Sequence, residues 1–167
     1  MSAASQTISD TSSTTPHINS LLRIEIAKQV ALALQEDIAT GDINAQLIPD
    51  TQRDTATIIC REPMVVAGKA WVDEVFRQLD PNMQLDWAVK DGDAVAANQV
   101  LVTLIGNTRA LLTGERTALN FLQTLSSTAT VVANHVAVIA ELPTKLLDTR
   151  KTLPMLRHAQ KYAMLCG

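Results

Sequence analysis

Two adjacent cations near the end of the chain are the residues best suited to chemistry. Arg150 and Lys151 follow the apolar pair Leu146-Leu147 and stand in the polar stretch Asp148-Thr149-Arg150-Lys151-Thr152. Arginine offers a planar fork of N–H donors and lysine a mobile point charge, so the pair suits a ligand with two anionic groups. Neighbouring side chains diverge on an extended strand, so both reach one ligand only where the strand has turned into a loop. The alternative interpretation is a pair of ordinary solvated cations.

The residues around this stretch predict a strand followed by a helix. Residues 144–147 form the apolar strand, and Pro154 suits the first turn of a helix over 154–164, because its missing N–H costs nothing there. Ligands of parallel α/β folds bind at the carboxyl ends of strands, where Asp148 to Lys151 would lie. The end of the chain therefore reads as the first βα unit of an α/β domain.

Arg116 is a second candidate, at the start of a long predicted helix. From Thr113, apolar residues repeat every three or four positions until Glu141-Leu142-Pro143 closes the run. A cation in the first turn of a helix is slightly unfavourable unless an anion is also bound there. Two interpretations fit: Arg116 binds an anionic ligand, or it forms a surface pair with Glu115.

The other elements follow from apolar spacing and turn residues. Residues 1–16 are polar without periodicity and predict a disordered tail, and Asn19 or Ser20 caps a helix that runs to about Gln35. Asp91-Gly92-Asp93 predicts a hairpin turn rather than a calcium loop. The chain should further contain one or two strands over 56–67, a helix over 70–79, and strands near 85–89 and 100–105.

Composition narrows the class of protein. Hydrophobic residues make up 47% of the 167 residues and aromatic residues only 3%, which predicts an aliphatic core. The net charge of −3 argues against nucleic-acid binding, whereas residues 144–161 carry a local charge of +4 that favours a small anionic ligand. No apolar run approaches the roughly 18 residues of a membrane span.

The cysteines and histidines suggest neither a disulfide framework nor a metal centre. Cys60 and Cys166 are too few and too far apart for either and predict reduced thiols in the cytoplasm, with Cys60 in the core. His17, His135 and His158 have no second ligand at a metal-like spacing, so each is read as a surface or packing residue.

Several segments together resemble the quinolinate phosphoribosyltransferase family. They occur in the order of the family and cover nearly all of the chain after the tail. The matching segments are Glu36-Asp37, Gly41-Asp42-Ile43, Leu47-Ile48-Pro49, Gly114-Glu115-Arg116-Thr117-Ala118-Leu119-Asn120-Phe121-Leu122-Gln123, Asp148-Thr149-Arg150-Lys151-Thr152 with Pro154, Leu156-Arg157 and Lys161-Tyr162-Ala163.

The resemblance implies an α+β chain with two domains. With the composition, it predicts a disordered tail over 1–18, an α/β sandwich domain over 19–112, a linking helix over 113–143, and over 144–167 the start of an α/β-barrel catalytic domain that the chain does not finish. It also implies a homodimer in which the N-terminal domain of one subunit closes the barrel of the other. Arg116 would then act across the interface.

The family reaction implied by the resemblance joins quinolinate to 5-phosphoribosyl 1-diphosphate with Mg²⁺. Its products are nicotinate mononucleotide, pyrophosphate and carbon dioxide, on the route to NAD. Arg116 and Arg150 correspond to the arginines that hold the quinolinate carboxylates, and Thr149 and Lys151 belong to the same substrate-binding segment. No catalytic base and no metal ligand is expected in this chain, since charge stabilisation does most of the work.

The chain departs from the family pattern at Met155, where the family commonly has glycine, and the larger side chain is expected to crowd the start of the next helix. Because most of the barrel would lie beyond Gly167, we expect large exposed apolar surfaces and little or no activity of this chain alone. Other interpretations are a non-catalytic fragment, half of a split enzyme, a phosphoribosyltransferase for another anionic ring, or a biotinyl- or lipoyl-carrier-like hairpin with Lys90 as its attachment site.

Overall fold

The helices and strands follow the predicted order in the computed structural model, which describes residues 16–38, 45 and 47–167. The Gly41-Asp42-Ile43 segment and most of the predicted tail lie outside those residues. The described elements are α1 (Ser20–Ile38), β1 (Arg53–Ile59), β2 (Met64–Val65), α2 (Lys69–Leu79), β3 (Gln84–Trp87), β4 (Ala94–Val95), β5 (Val100–Asn107), α3 (Thr108–Val138) and α4 (Arg157–Cys166).

The first helix begins where its capping residue predicts. The Asn19 Oδ1 atom accepts a hydrogen bond of 2.9 Å from the backbone N–H of Leu22, which satisfies one of the free donors of the first turn. Ile18, which the composition placed in the tail, instead packs against the core. The buried face of α1 is formed by Ile26, Gln29, Val30 and Leu34.

Two small antiparallel sheets form the β layer. One has the strand order β1-β5-β3, and the other pairs β2 with β4. The predicted hairpin turn at Asp91-Gly92-Asp93 is wrong, because the strands on either side, β3 and β4, belong to different sheets. The same pairing contradicts the carrier-like hairpin, since β4 does not pair with β5 and Lys90 lies between two sheets rather than at a hairpin tip.

The core is mainly aliphatic, as predicted, and it also takes in most of the few aromatic side chains. Trp71 on α2 is fully buried within a cluster of Val, Leu, Ile and Ala residues from both sheets and from α1 and α3. A low number of aromatic residues does not prevent each of them from being buried. Four of the five aromatic residues of the chain are buried: Trp71, Phe76, Phe121 and Tyr162.

The long helix α3 starts five residues earlier than predicted. Its N-cap is Asn107, whose side chain accepts from the backbone N–H of Ala110 at 3.2 Å, so β5 continues directly into the helix. With 31 residues α3 is about 46 Å long. Arg116 consequently lies in the third turn, beyond the first turn in which the helix dipole attracts anions.

The last part of the chain differs most from the sequence prediction. Residues 144–147 form no strand, because a strand needs a hydrogen-bonded neighbour and none is present beside them. The helix α4 begins at Arg157 rather than Pro154, after a turn in which Met155 has a φ of 65°. The Met155 side chain is 74% exposed and does not crowd the helix. The backbone of this residue is instead in the left-handed region that favours glycine.

Large apolar side chains are exposed along the end of α3 and the segment that follows, as expected. The exposed residues of this surface are Val131, Val136, Val138, Leu142, Leu146, Leu147 and Leu165.

None of the helices within the described residues is long and apolar enough to cross a membrane.

Candidate functional site

Arg116 projects from α3 toward the end of α1. Its Nη1 atom donates a hydrogen bond of 2.7 Å to Asp37 Oδ1, and the two side chains are 73% and 21% exposed. The predicted partner Glu115 is therefore not the one observed. A largely exposed ion pair contributes about 0–1 kcal/mol. A carboxylate ligand can replace Asp37 at this guanidinium at little cost.

Two clefts meet at Arg116. One has a volume of about 460 Å³ and lies between α1, α3 and Leu156, the residue before α4. The other, of about 380 Å³, lies along the outer face of α3. Glu36 and Asp37 place negative charge in the first cleft, so Arg116 is the group there that can bind an anion. The Thr117 hydroxyl beside it is buried and has no hydrogen-bond partner among the described residues.

The segment 148–153 forms a loop, as binding by both cations requires. The backbone N–H of Lys151 donates to Thr149 Oγ1 at 3.1 Å, a short turn that bends the chain at Arg150. Asp148 accepts a hydrogen bond from Lys161 Nζ. The backbone N–H of Leu153 donates to Gln160 Oε1 at 2.7 Å. Both ends of the loop are thus attached to α4.

The side chains of Arg150 and Lys151 are exposed. Among the described residues neither forms a salt bridge, and Asp148, the acidic residue nearest to them in sequence, pairs with Lys161. Neither positive charge is therefore neutralised by a salt bridge within the part of the chain that the structure describes.

The structure does not bring Arg116 and this loop together within one chain. The two clefts that Arg116 lines contain none of Thr149, Arg150 and Lys151. The roles of these four residues remain predictions.

Several residues that contact the candidate site were not predicted from the sequence. Asp37 and Lys161 stand in the segments that resemble the family, but nothing in their spacing indicated that they pair with Arg116 and Asp148. Gln160 and Gln29 gave no signal at all. A glutamine on a helix looks like any polar surface residue unless its partners are known.

The most perturbed ionisable groups lie beneath α4. Burial raises the pKa of the Asp91 carboxyl, which accepts a hydrogen bond of 2.7 Å from the Tyr162 hydroxyl. Burial and the nearby Asp91 charge also raise the pKa of Tyr162. The same two causes raise the pKa of Cys166 from 9.0 to about 12, so its thiol stays protonated at neutral pH. Cys60 is buried, as predicted.

The described residues contain no group of three or more His, Cys, Asp or Glu side chains that could hold a metal ion. His135 illustrates the point, since its Nδ1 atom lies 2.7 Å from the backbone carbonyl of Val131 on its own helix.

Two family models match this chain. Residues 37–126 match the quinolinate phosphoribosyl transferase N-terminal domain, and residues 128–167 match the C-terminal domain of the same family. The boundary between the matches falls inside α3.

Full-length relatives give the same result. The chain is 42% identical over 134 residues to a probable nicotinate-nucleotide pyrophosphorylase (carboxylating) of Synechocystis, covering 80% of this chain and 45% of the relative. The corresponding protein of Bacillus subtilis is 41% identical over 132 residues, with 79% and 46% covered. The chain spans about half the length of the curated relatives it matches.

Solved structures share the fold. The nicotinate-nucleotide pyrophosphorylase of Francisella tularensis superposes with a TM-score of 0.85 at 49% identity, covering 92% of this chain and 55% of that one. NadC of Streptococcus pyogenes also superposes with a TM-score of 0.85, at 33% identity, covering 90% and 54%.

Proposed function

This chain belongs to the quinolinate phosphoribosyl transferase family, and from that premise we propose that it forms part of an enzyme that transfers a phosphoribosyl group to quinolinate. The donor is 5-phosphoribosyl 1-diphosphate, and the products are nicotinate mononucleotide, pyrophosphate and carbon dioxide. The names of the relatives from Synechocystis and Bacillus subtilis support this assignment. The reduced, buried thiols of Cys60 and Cys166 support a cytoplasmic location.

The observation that carries the proposal is the loop with two exposed cations. Quinolinate presents two carboxylates on adjacent ring positions. Arg150 can take one in its planar fork, and Lys151 can approach the other as a point charge. Because the described residues give neither side chain an acidic partner, the ligand does not have to displace a protein carboxylate here. Thr149 shapes the turn through its hydrogen bond to the Lys151 N–H.

Arg116 joins this site from a second copy of the chain in our proposal. Support comes from its position, since it is exposed and lines no cleft in common with residues 149–151. If both regions contact one quinolinate, a homodimer supplies the missing half of each site. Asp37 then holds the guanidinium in place until the ligand arrives.

The residues of this chain bind and orient the pyridine dicarboxylate and contribute no nucleophile. Mg²⁺, when bound with the phosphoribosyl diphosphate, neutralises the departing pyrophosphate oxygens. Arg150 and Lys151 are proposed to hold the ring so that its nitrogen faces the anomeric carbon.

Calorimetric titration of the 167-residue chain with quinolinate tests the proposal. Removal of one charged hydrogen-bonding partner costs about 1.5–3 kcal/mol, so Arg150→Ala and Arg116→Ala should each weaken quinolinate binding by about 10- to 150-fold. Arg23→Ala is the matched control, because it removes an exposed arginine of α1 that lines neither cleft at Arg116 and lies outside the 148–153 loop. Nicotinate, with one carboxylate, should bind more weakly than quinolinate to the unaltered chain.

Mixing the two variants tests the action of Arg116 across an interface. A dimer of one Arg116→Ala and one Arg150→Ala subunit keeps one site with both arginines, so part of the tight binding should return. No quinolinate binding by the unaltered chain, or equal affinities for all three variants, would contradict the proposal. If the mixture does not recover tight binding, the site shared between two subunits is contradicted, but quinolinate binding by the chain is not.

A further inference from the structure

Gln29 connects α1 to the turn that precedes α4. Its side chain is buried, and its Oε1 atom accepts a hydrogen bond of 2.8 Å from the Trp71 indole N–H. Its Nε2 atom donates a hydrogen bond of 3.0 Å to the backbone carbonyl of Met155. The indole can only donate and the carbonyl can only accept, so one orientation of the amide satisfies both. A glutamine at this position is specified by both partners.

Tyr162, on α4, makes a second buried polar contact. Its hydroxyl donates to Asp91 Oδ2 at 2.7 Å, and the other oxygen of Asp91 accepts from the backbone N–H of Lys69 at 3.1 Å. The Tyr162 ring also packs against Trp71, with the ring centroids 5.4 Å apart. Gln29, Trp71, Asp91 and Tyr162 therefore form one continuous structure, called here the buried polar network.

The buried polar network joins the two family domains. Trp71 and Asp91 lie in the region that matches the N-terminal domain, whereas Met155 and Tyr162 lie in the region that matches the C-terminal domain. A buried donor or acceptor must keep its partner, since an unpaired one loses its hydration without compensation. The network therefore fixes the turn at Met155 and the helix α4 relative to the N-terminal sheets.

The same turn and helix hold the candidate substrate loop. Lys161, next to Tyr162, pairs with Asp148, and Gln160 accepts from the Leu153 N–H. Met155 lies just beyond the loop, where Gln29 binds its carbonyl. The contacts of the loop itself are exposed and individually weak, so its position depends on the buried contacts behind it.

We infer that Gln29 and Tyr162 are positioning residues, which set the geometry of the 148–153 loop through the Met155 carbonyl and through α4. The effect on quinolinate binding rests on the function proposed above, but the effect on the loop does not. An amide and a hydroxyl add less stability in a core than apolar groups of the same shape, which is consistent with a role in fixing one arrangement.

Hydrogen exchange measured by mass spectrometry on the 167-residue chain tests the inference. Gln29→Glu keeps the acceptor for Trp71, but its ionised form cannot donate to Met155. Tyr162→Phe keeps the ring and removes only the hydroxyl. Each should raise exchange in peptides covering 148–156 by about tenfold, because losing a buried hydrogen bond shifts a local opening equilibrium by roughly that factor. Gln29→Met, which keeps the length of the side chain, replaces Gln29→Glu if the latter does not fold.

Ser126→Ala is the matched control. The Ser126 hydroxyl is buried and bonds both to the N–H and to the carbonyl of Ala67, at 3.0 and 3.1 Å, so its hydrogen bonds lie outside the loop and α4. This variant should lower the unfolding midpoint while leaving exchange in 148–156 unchanged. Unchanged loop exchange in the Gln29 and Tyr162 variants, or an equal increase in Ser126→Ala, would overturn the inference.

Quinolinate titration of the same variants separates this inference from the proposed function. Weaker binding in the Gln29 and Tyr162 variants and unchanged binding in Ser126→Ala would support both. Faster loop exchange in a chain that binds no quinolinate would leave the positioning role standing and refute the function. Unaltered exchange and affinity in variants of a chain that does bind quinolinate would refute the positioning role alone.

Discussion

Replacing Met155 by glycine and by alanine tests the left-handed turn that precedes α4. Met155 has a φ of 65° and its side chain is 74% exposed, so both substitutions remove about the same small contact. They differ in the backbone. The left-handed region destabilises a residue with a Cβ atom by about 1–2 kcal/mol, whereas glycine adopts it without this strain. Glycine in turn loses about 0.4–1 kcal/mol more conformational entropy on folding than alanine, because it has more conformations in the unfolded chain.

The difference between these effects makes Met155→Gly more stable than Met155→Ala by about 0.5–1 kcal/mol. The bond from Gln29 to the carbonyl of residue 155 is available in both variants, so it does not enter the comparison. Urea unfolding followed by tryptophan fluorescence measures the free energies of unfolding, since Trp71 is fully buried in the folded chain.

The same exchange at Ala97 should have the opposite sign. Ala97 is exposed, and among the described non-glycine residues only Asn98 and Met155 have a positive φ. Ala97→Gly should therefore lose about 0.4–1 kcal/mol. A Met155→Ala variant as stable as Met155→Gly, with Ala97→Gly behaving as expected, would refute the reasoning about the turn.

Three further predictions concern packing and protonation. Gly114→Ala should lose about 1–3 kcal/mol in thermal unfolding, because a Cβ atom would lie 2.8 Å from a Phe76 ring carbon, and an unchanged midpoint would contradict this close approach of α2 and α3. The raised pKa of Asp91 means that its contribution to stability is fully present below the ordinary value of 3.8 and is lost as the pH rises through the raised value. Urea titrations should therefore show the unaltered chain losing stability relative to Asp91→Asn between acid and neutral pH, and a constant difference would argue against this. Because burial raises the pKa of Cys166 to about 12, iodoacetamide at pH 8 should alkylate this thiol far more slowly in the folded chain than in urea, as mass spectrometry would show. Equal rates would refute it.

Local patterns predicted much of the fold. The cap at Asn19 was readable, because capping involves residues only a few positions apart. The helix over 70–79 was predicted within one residue of α2, Lys69–Leu79. The strands near 85–89 and 100–105 were recognised as well, but their pairing was not.

The errors arose where distant residues decide the structure. A turn-like Asp91-Gly92-Asp93 predicted a hairpin, yet Asp91 faces inward to Tyr162, a residue 71 positions away. The strand predicted at 144–147 failed for the same reason, since pairing depends on neighbours elsewhere in the chain. The start of α3 was missed because Asn107 ends a strand and caps a helix at once.

The amino-acid order alone shows which residue types are available for chemistry and which family the chain resembles. Arg116, Thr149, Arg150 and Lys151 were proposed as site residues from their segments, because the chemistry of a side chain and its place in a motif can be read along the chain. The pairing of Asp37 with Arg116, and of Gln29 with a carbonyl 126 residues away, became visible only in the folded chain. Contacts of that separation leave no local periodicity, and their free energy exists only once the chain has folded.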